Sequence, residues 1–316
     1  MTSKKTQMLG TTPQDIAQAA SILSGGGLIA FPTETVYGLG ADACDDRAVA
    51  QIYAAKGRPS FNPLIAHVAD AETAESYVAF NETALRLAQA FWPGALTLVL
   101  ALKADAKISK LVTAGLRTLA VRVPDHPVGQ ALLKAADMPI AAPSANPSGR
   151  VSPTTADHVL AGLTGKIDAV IDGGACPVGL ESTIISCVGT PKLLRAGGVP
   201  LEAIEACLGV ALQREEYAET PTAPGQLASH YAPLGEVRLN AQTVEADETL
   251  LGFGPVEADY NLSRAGDLTE AAANLFDCLH QLDRAEVTKI AVSPIPHTGL
   301  GAAINDRLKR AAAPRP

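Results

Sequence analysis

Apolar positions in this chain come in short runs and helical stripes that take turns along its length. The run Leu28 to Phe31, stopped by Pro32, reads as a buried strand. Ahead of it, "TTPQDIAQAASILSGGG" has helical spacing, with Thr12 as N-cap, Pro13 at the first helical position and glycines as the stop. "DDRAVAQIYAAKG" predicts a second helix capped by Asp45 or Asp46, followed by the strand "PLIAHV" and the helix "ETALRLAQAF". The strands "LTLVLAL" and "TLAVRVP", the helix "HPVGQALLKAAD" and the strand "PIAAPS" come next. The helix "TTADHVLAGLTG", the strands "DAVIDGG", "STIISCV" and "KLLRAG", and the helix "PLEAIEACLG" complete the run. Such alternation predicts an α/β sheet covered by helices. Several strands follow one another without a helix, so the sheet should be mixed rather than all parallel.

The pattern stops near Gly209. Residues 210–235 hold Pro221, Pro224, Gly225 and Pro233 with no clear period, and read as a linker. A smaller unit follows, with strands in "EVRLNA", "ETLLGFG" and "VTKIAVSPI" and helices in "DLTEAAANLFDCLHQLD" and "GLGAAINDRLKRAAA". The expected organisation is a larger α/β domain over 10–209, a linker or lid over 210–235, and a small α/β domain over 236–316.

Composition sets bounds on this picture. With 316 residues, 47% hydrophobic and 18% charged, the chain is long enough for two domains with their own cores. Its net charge is -8, and residues 236–316 carry 8 basic and 12 acidic groups, so neither part is a basic arm. That speaks against a stable, sequence-independent grip on nucleic acid, while transient tRNA contact stays open. Five scattered cysteines form no C-x-x-C pair and no zinc spacing, which reads as reduced thiols in the cytoplasm. The start "MTSKKTQMLGTTPQDI" has no apolar core of a signal peptide, and "GALTLVLAL" is too short to span a bilayer.

Two nucleotide motifs fall away on context. Gly38-Leu39-Gly40-Ala41-Asp42-Ala43 fits G-x-G-x-x-A, but "TETVY" separates it from the preceding strand and no acidic residue ends the next one. Gly162-Leu163-Thr164-Gly165-Lys166 lacks the Walker spacing and reads as a helix end. Lys56 and Arg58, flanked by Gly57 and Pro59, have two readings: they offset the dipole of the preceding helix, or they hold an anion. "PSANPSGRVSPTTADHV" likewise is either a turn with Ser152 or Thr154 as helix cap, or a ligand loop offering Ser144, Asn146, Ser148, Arg150 and Ser152 after a strand. Thr33, Glu34 and Thr35 end one strand, Ser182 and Thr183 start another, and Arg195 ends a third. His67 alone is commonly a core histidine. Arg122 inside the apolar "LAVRVP" needs an anion or carbonyl partners. So many polar groups at strand ends point to one anion-binding cleft.

These stretches also carry a resemblance. "FPTETVYGLG", "KGRPSFNPL", "FWPGALTLVL", "VRVPDHP", "PSANPSGRVSPT", "GLESTII" and "LLRAGGV" resemble, in order, the motifs of the YrdC-type threonylcarbamoyl-AMP synthases across residues 31–199. "APGQLASHYAP" and "GLGAAINDRLKRAA" resemble the linker and extra C-terminal domain of the long form, although the linker is less basic than in many members. The resemblance implies a twisted mixed-sheet domain followed by a small Rossmann-like α/β domain. It implies that L-threonine, bicarbonate and ATP become threonylcarbamoyl-AMP and pyrophosphate, with Mg2+ held mainly by the ATP phosphates. It implies passage of the product to the tRNA threonylcarbamoyl transferase machinery. By matching motif positions, Lys56 and Arg58 become the catalytic pair, and with Asn62, Thr118, Ser144, Asn146, Ser152, Arg195 and Tyr231 they hold ATP. Thr35, His67, Arg122, Ala142 (through its backbone) and Ser182 go to threonine or its carbamate. Two other classes stay in view: a double-stranded RNA or tRNA-binding module, and a carbamoyl-transfer maturation enzyme. The latter would need zinc-finger cysteines and an acylphosphatase-like part, which this sequence lacks.

Overall fold

The structure, a computed structural model, describes residues 4–214, 223 and 230–314. The first domain runs β1 (Gln7–Leu9), α1 (Pro13–Ser24), β2 (Ile29–Phe31), β3 (Gly38–Asp42), α2 (Asp46–Lys56), β4 (Ile65–His67), α3 (Ala71–Glu75), β5 (Val78–Ala79), α4 (Glu82–Phe91) and β6 (Leu96–Leu102). It continues with α5 (Lys110–Thr113), β7 (Thr118–Arg122), α6 (Pro127–Ala136), β8 (Ile140–Ala141), α7 (Ala156–Leu163), β9 (Ala169–Ile171), β10 (Thr183–Ser186), β11 (Lys192–Arg195), α8 (Leu201–Leu208) and β12 (Gln213–Arg214). The second holds β13 (Glu236–Arg238), β14 (Thr249–Gly252), β15 (Tyr260–Asn261), α9 (Leu268–Arg284), β16 (Lys289–Val292) and α10 (Leu300–Ala311).

The first domain is one mixed sheet ordered β1-β9-β2-β3-β8-β4-β7-β6-β10-β11-β12, with β5 paired to β6. The sheet outruns the expected domain edges. β1 pairs in parallel with β9 from Gln7 onward, before residue 10, and β12 pairs with β11 beyond Gly209. Two-residue β12 is too short to give a sequence period. Of the expected linker, only 210–214, 223 and 230–235 lie within the described residues; Pro221, Pro224 and Gly225 lie outside them.

Local signals account for most of the elements. Thr12 caps α1 through a capping box with Asp15, and Asp45 caps α2. The cap of α7 is Thr155, not Ser152 or Thr154. Ser152 and Thr154 are buried and bonded elsewhere, to Glu181 and toward His158. "GLGAD" is strand β3, antiparallel to β2 and β8. A Cβ at Gly40 would sit 2.8 Å from Ile140 and 2.9 Å from Phe31. Close packing of strands is therefore what this glycine serves.

Period-2 alternation sorts the sheet's two faces. Ala66, Leu119 and Val121 join the core under α2, α4, α7 and α8. On the opposite face, α1 and α6 cover β2, β8 and β9. Further along that face, Ile65, Val99, Ala120, Ile184 and Leu194 form a small apolar floor that Ala223 packs onto. His67 shares this face with Ile65, and Thr118 and Arg122 share it with Ala120. The smaller domain is a four-stranded all-parallel sheet, β13-β16-β14-β15, packed with α9 and α10. Its core takes in Val36, Val151, Leu180 and Tyr231 from outside the domain, so the two domains share apolar contacts.

Candidate functional site

The cleft opens over this floor. It is lined by Thr33, Thr35, Arg58, His67, Arg122, Ala142, Ser144, Glu181, Ser182, Arg195, His230 and Tyr231, among others. Of the expected site residues, Thr35, Arg58, His67, Arg122, Ala142, Ser144, Ser182, Arg195 and Tyr231 thus meet in one place. Lys56, Asn62, Thr118, Asn146 and Ser152 stand outside this lining.

β4 and β7 run parallel, with His67 opposite Arg122. Both side chains lie at the C-terminal ends of their strands, where open α/β sheets place ligands. Arg122 donates from Nη1 to Thr35 Oγ1 at 2.8 Å and from Nε to the Gly94 carbonyl at 3.1 Å. Its Nη2 is ion-paired with Glu34 at 2.5 Å, though neither that nitrogen nor the Glu34 oxygens have hydrogen-bond alignment. Burial, with Arg122 adding to it, drives His67 down to about 3, so this imidazole is neutral at physiological pH. Its Nδ1 is buried without a partner. Ala142 gives its N–H to the Ile65 carbonyl, so a ligand contact there would use its own carbonyl.

The Lys-Gly-Arg turn depends on Gly57, which closes α2 at φ 62° in the left-handed region. From this turn Lys56 reaches back to the Ser144 carbonyl at 2.5 Å and to the Asn146 carbonyl. Arg58 folds the other way, onto the carbonyls of Asn62 and Pro63 at 3.3 and 2.9 Å. Burial, then Arg58, holds the Lys56 amine well below its ordinary value, and burial brings Arg58 down to about 10. Among the described residues neither is ion-paired, and both basic side chains are buried against carbonyls alone. An anion beside them would relieve that cost.

Asn62 and Thr118 sit at the opposite, N-terminal ends of β4 and β7. Thr118 is four residues from Arg122, roughly 13 Å along an extended strand. The Asn62 side-chain amide is buried with neither atom partnered, as is Asn146 Oδ1. Buried polar atoms of this kind call for a ligand or water. On the far wall, Arg195 donates to the Ser182 carbonyl at 2.8 Å and to its hydroxyl at 3.2 Å. Ser182 Oγ also meets Thr97 Oγ1 at 2.7 Å. Ser152 lies behind the cleft wall, its hydroxyl donating to Glu181 at 2.5 Å. Tyr231 is buried in the left-handed region at φ 62°. Ala232 ties down the adjacent chain by donating to the Gly149 carbonyl at 2.9 Å.

Glu181 and Arg307 carry no expected role, yet they form a buried ion pair at 2.8 Å. Burial alone would raise Glu181, but Arg307 and Arg195 outweigh it and hold the carboxylate below its usual range. Arg307 leaves a trace in the sequence: it stands on the stripe Ala303, Ile304, Arg307, Leu308 and Ala311, a charge at helical spacing among buried positions.

A mixed-sheet α/β domain, with a cationic cleft at its strand ends walled in part by the linker residues His230 and Tyr231, defines a class of anion-binding enzyme fold. The family profile described as telomere recombination (Sua5, YciO and YrdC) matches residues 21–197, and the profile described as threonylcarbamoyl-AMP synthase, C-terminal domain, matches residues 199–313. The threonylcarbamoyl-AMP synthase of Bacillus subtilis (strain 168) is 43% identical, covering 98% of this chain and 96% of its own. That of Schizosaccharomyces pombe is 36% identical over 90% of this chain and 85% of its own. The crystal structure of Pyrococcus abyssi Sua5 complexed with L-threonine superposes with a TM-score of 0.90 at 39% identity, covering 97% of this chain and 98% of that one. The chain belongs to the threonylcarbamoyl-AMP synthase family, in its two-domain form.

Proposed function

We propose that this chain is an L-threonylcarbamoyladenylate synthase, which joins L-threonine, bicarbonate and ATP into threonylcarbamoyl-AMP and releases pyrophosphate. The observation that carries the reading is the sorting of polar groups along one pair of strands. Thr35, His67, Arg122 and Ser182 gather at one end, and buried Lys56, Arg58 and unpartnered Asn62 lie toward the other. A short amino acid fits the first end and an extended triphosphate nucleotide the second. The P. abyssi relative binds L-threonine, which supports threonine as the amino acid in this reading.

In this reading Arg122 and Thr35 orient the amino acid, and the threonine amine adds bicarbonate carbon with loss of water to give the carbamate. A carbamate oxygen attacks the α-phosphorus, and the bond to the β,γ-diphosphate breaks. Arg58, Lys56 and Arg195 are placed to stabilise the charge that gathers on phosphate oxygens. His67 acts as a neutral hydrogen-bond partner rather than a general base, because an imidazole titrating near 3 is too weak a base to take up a proton at neutral pH. Magnesium comes with the nucleotide. Among the described residues no cluster of three His, Cys, Asp or Glu could cage it, and Glu34 and Glu181 are committed to arginines. Thr118, Asn146, Ser152 and Tyr231 complete the nucleotide contacts, and Ala142 those of threonine. The product then goes to a transferase that modifies tRNA, with the chain acting in the cytoplasm. No described helix is long and apolar enough to cross a membrane. Pyrophosphate release, measured with threonine, bicarbonate and ATP each omitted in turn, tests the reading. Release that ignores threonine would overturn it.

A further inference from the structure

Arg307 is fully buried on α10, the last helix of the second domain. Its Nε donates to Glu181 Oε2 at 2.8 Å, Nη1 to Asp306 at 2.6 Å and Nη2 to the Ala196 carbonyl at 2.9 Å. Its guanidinium carbon lies 5.1 Å from the centroid of the Tyr231 ring. The other oxygen of Glu181 takes the Ser152 hydroxyl at 2.5 Å. From α9 of the same domain, the His280 imidazole contacts the Ser152 carbonyl at 3.1 Å. His280 also stacks on His158 of α7 at 3.9 Å, and Asp277 pairs with His158 at 3.3 Å.

The second domain therefore holds Ser152 twice, by its carbonyl directly and by its hydroxyl through Glu181. A contact needed only to glue domains together could lie anywhere in their interface. This one ends on Glu181 and Tyr231, two residues that line the cleft, while Arg307 itself does not line it. Only a planar fork can serve three acceptors and lie against a ring at once, so lysine cannot replace it.

We propose that Arg307 is a positioning residue for the nucleotide half of the cleft, and that through Glu181 and Tyr231 the second domain forms part of the working site. The inference rests on the reading of the site given under Proposed function. It separates the two substrates, because Ser152 and Tyr231 belong to the nucleotide side and, among the described residues, no hydrogen bond or ion pair joins Arg307 to Thr35, His67 or Arg122.

The test uses full-length Arg307→Lys, Arg307→Gln and His280→Gln. ATP affinity is read by calorimetry without threonine, KM for each substrate from pyrophosphate release, and folding from thermal melting. ATP affinity should fall at least tenfold in Arg307→Gln and several-fold in the other two, with the threonine KM within twofold of the parent. Arg307→Gln strands a buried carboxylate and risks the fold, in which case the other two variants decide. ATP affinity within twofold of the parent in folded Arg307→Lys and His280→Gln overturns the proposal. So does an equal weakening of both substrates, which marks general loosening. A parent enzyme that releases no pyrophosphate overturns the reading of the function instead, while the calorimetric arm still reports on Arg307.

Discussion

His67 and Arg122 face each other across adjacent parallel strands, and the imidazole is the neutral member of the pair. Eighty-eight residues separate Lys56 from the Ser144 carbonyl it holds at 2.5 Å, and the same sheet brings those together. The cleft is thus assembled from distant segments, each anchored by a backbone carbonyl or a buried ion pair.

Acid should destabilise the protein well above the carboxylate range. Burial lowers His67 to about 3 and His280 to about 4, and lowers His126 and His230 as well. Below the ordinary value of about 6.5 the unfolded chain binds protons that the native chain refuses, so stability falls as pH falls. Each such group contributes a slope of up to about 1.4 kcal/mol per pH unit until its native value is reached. The urea midpoint should drop clearly between pH 7 and pH 5, and an unchanged midpoint would contradict neutral buried histidines.

Arg58→Ala and Ser144→Ala should lower turnover strongly while leaving the fold intact. Both line the cleft, and Arg58 has no carboxylate partner whose charge would be stranded. Loss of a charged phosphate contact should cost about 2–4 kcal/mol of transition-state stabilisation. Parent-level kcat/KM in folded Arg58→Ala protein would remove it from the site.

Substrate choice follows from the hydroxyl-rich end of the cleft. Thr33, Thr35 and Ser182 hydroxyls gather near Arg122 and His67. Valine keeps the shape of threonine but loses its hydroxyl, leaving buried polar groups unpaired. Serine loses only a methyl, worth roughly 1–3 kcal/mol. Pyrophosphate release should rank threonine first, serine second and valine last, and equal rates with valine and threonine would refute a hydroxyl-reading pocket.

Gly179 tests how far domain docking governs the cleft. It lies at φ 71°, and a Cβ there would come within 2.5 Å of the Ala272 carbonyl oxygen on α9. Gly179→Ala should push the second domain away without touching Arg307 or any cleft residue directly. ATP affinity should fall and the thermal unfolding should separate into two steps. A single transition at the parent temperature with full activity would show that the docking tolerates the methyl.

Much of this protein is written locally. The Thr12 and Asp45 caps, the apolar runs of β4, β6 and β7, and the turn at Gly57 follow from neighbours within four residues, which is the range of helix and strand periodicity. The polar groups of the cleft were legible for the same reason: Arg122 and His67 interrupt apolar strands, and Ser144 and Asn146 crowd a strand end. Tertiary structure decided the rest. Sequence context removes "GLGAD" as a phosphate loop, but only the packing shows it as a strand whose Gly40 takes Phe31 and Ile140 from two other strands. Thr155 rather than its neighbours caps α7, because Ser152 is claimed by Glu181 and the Thr154 hydroxyl is turned toward His158. Which face of β4 and β7 is left free of helices depends on where α1 and α6 pack, far from either strand in sequence. Arg307 shows the limit most directly. Its place on an apolar stripe announces a buried charge, but only the packing of α10 against the first domain supplies Glu181 as its partner, 126 residues away.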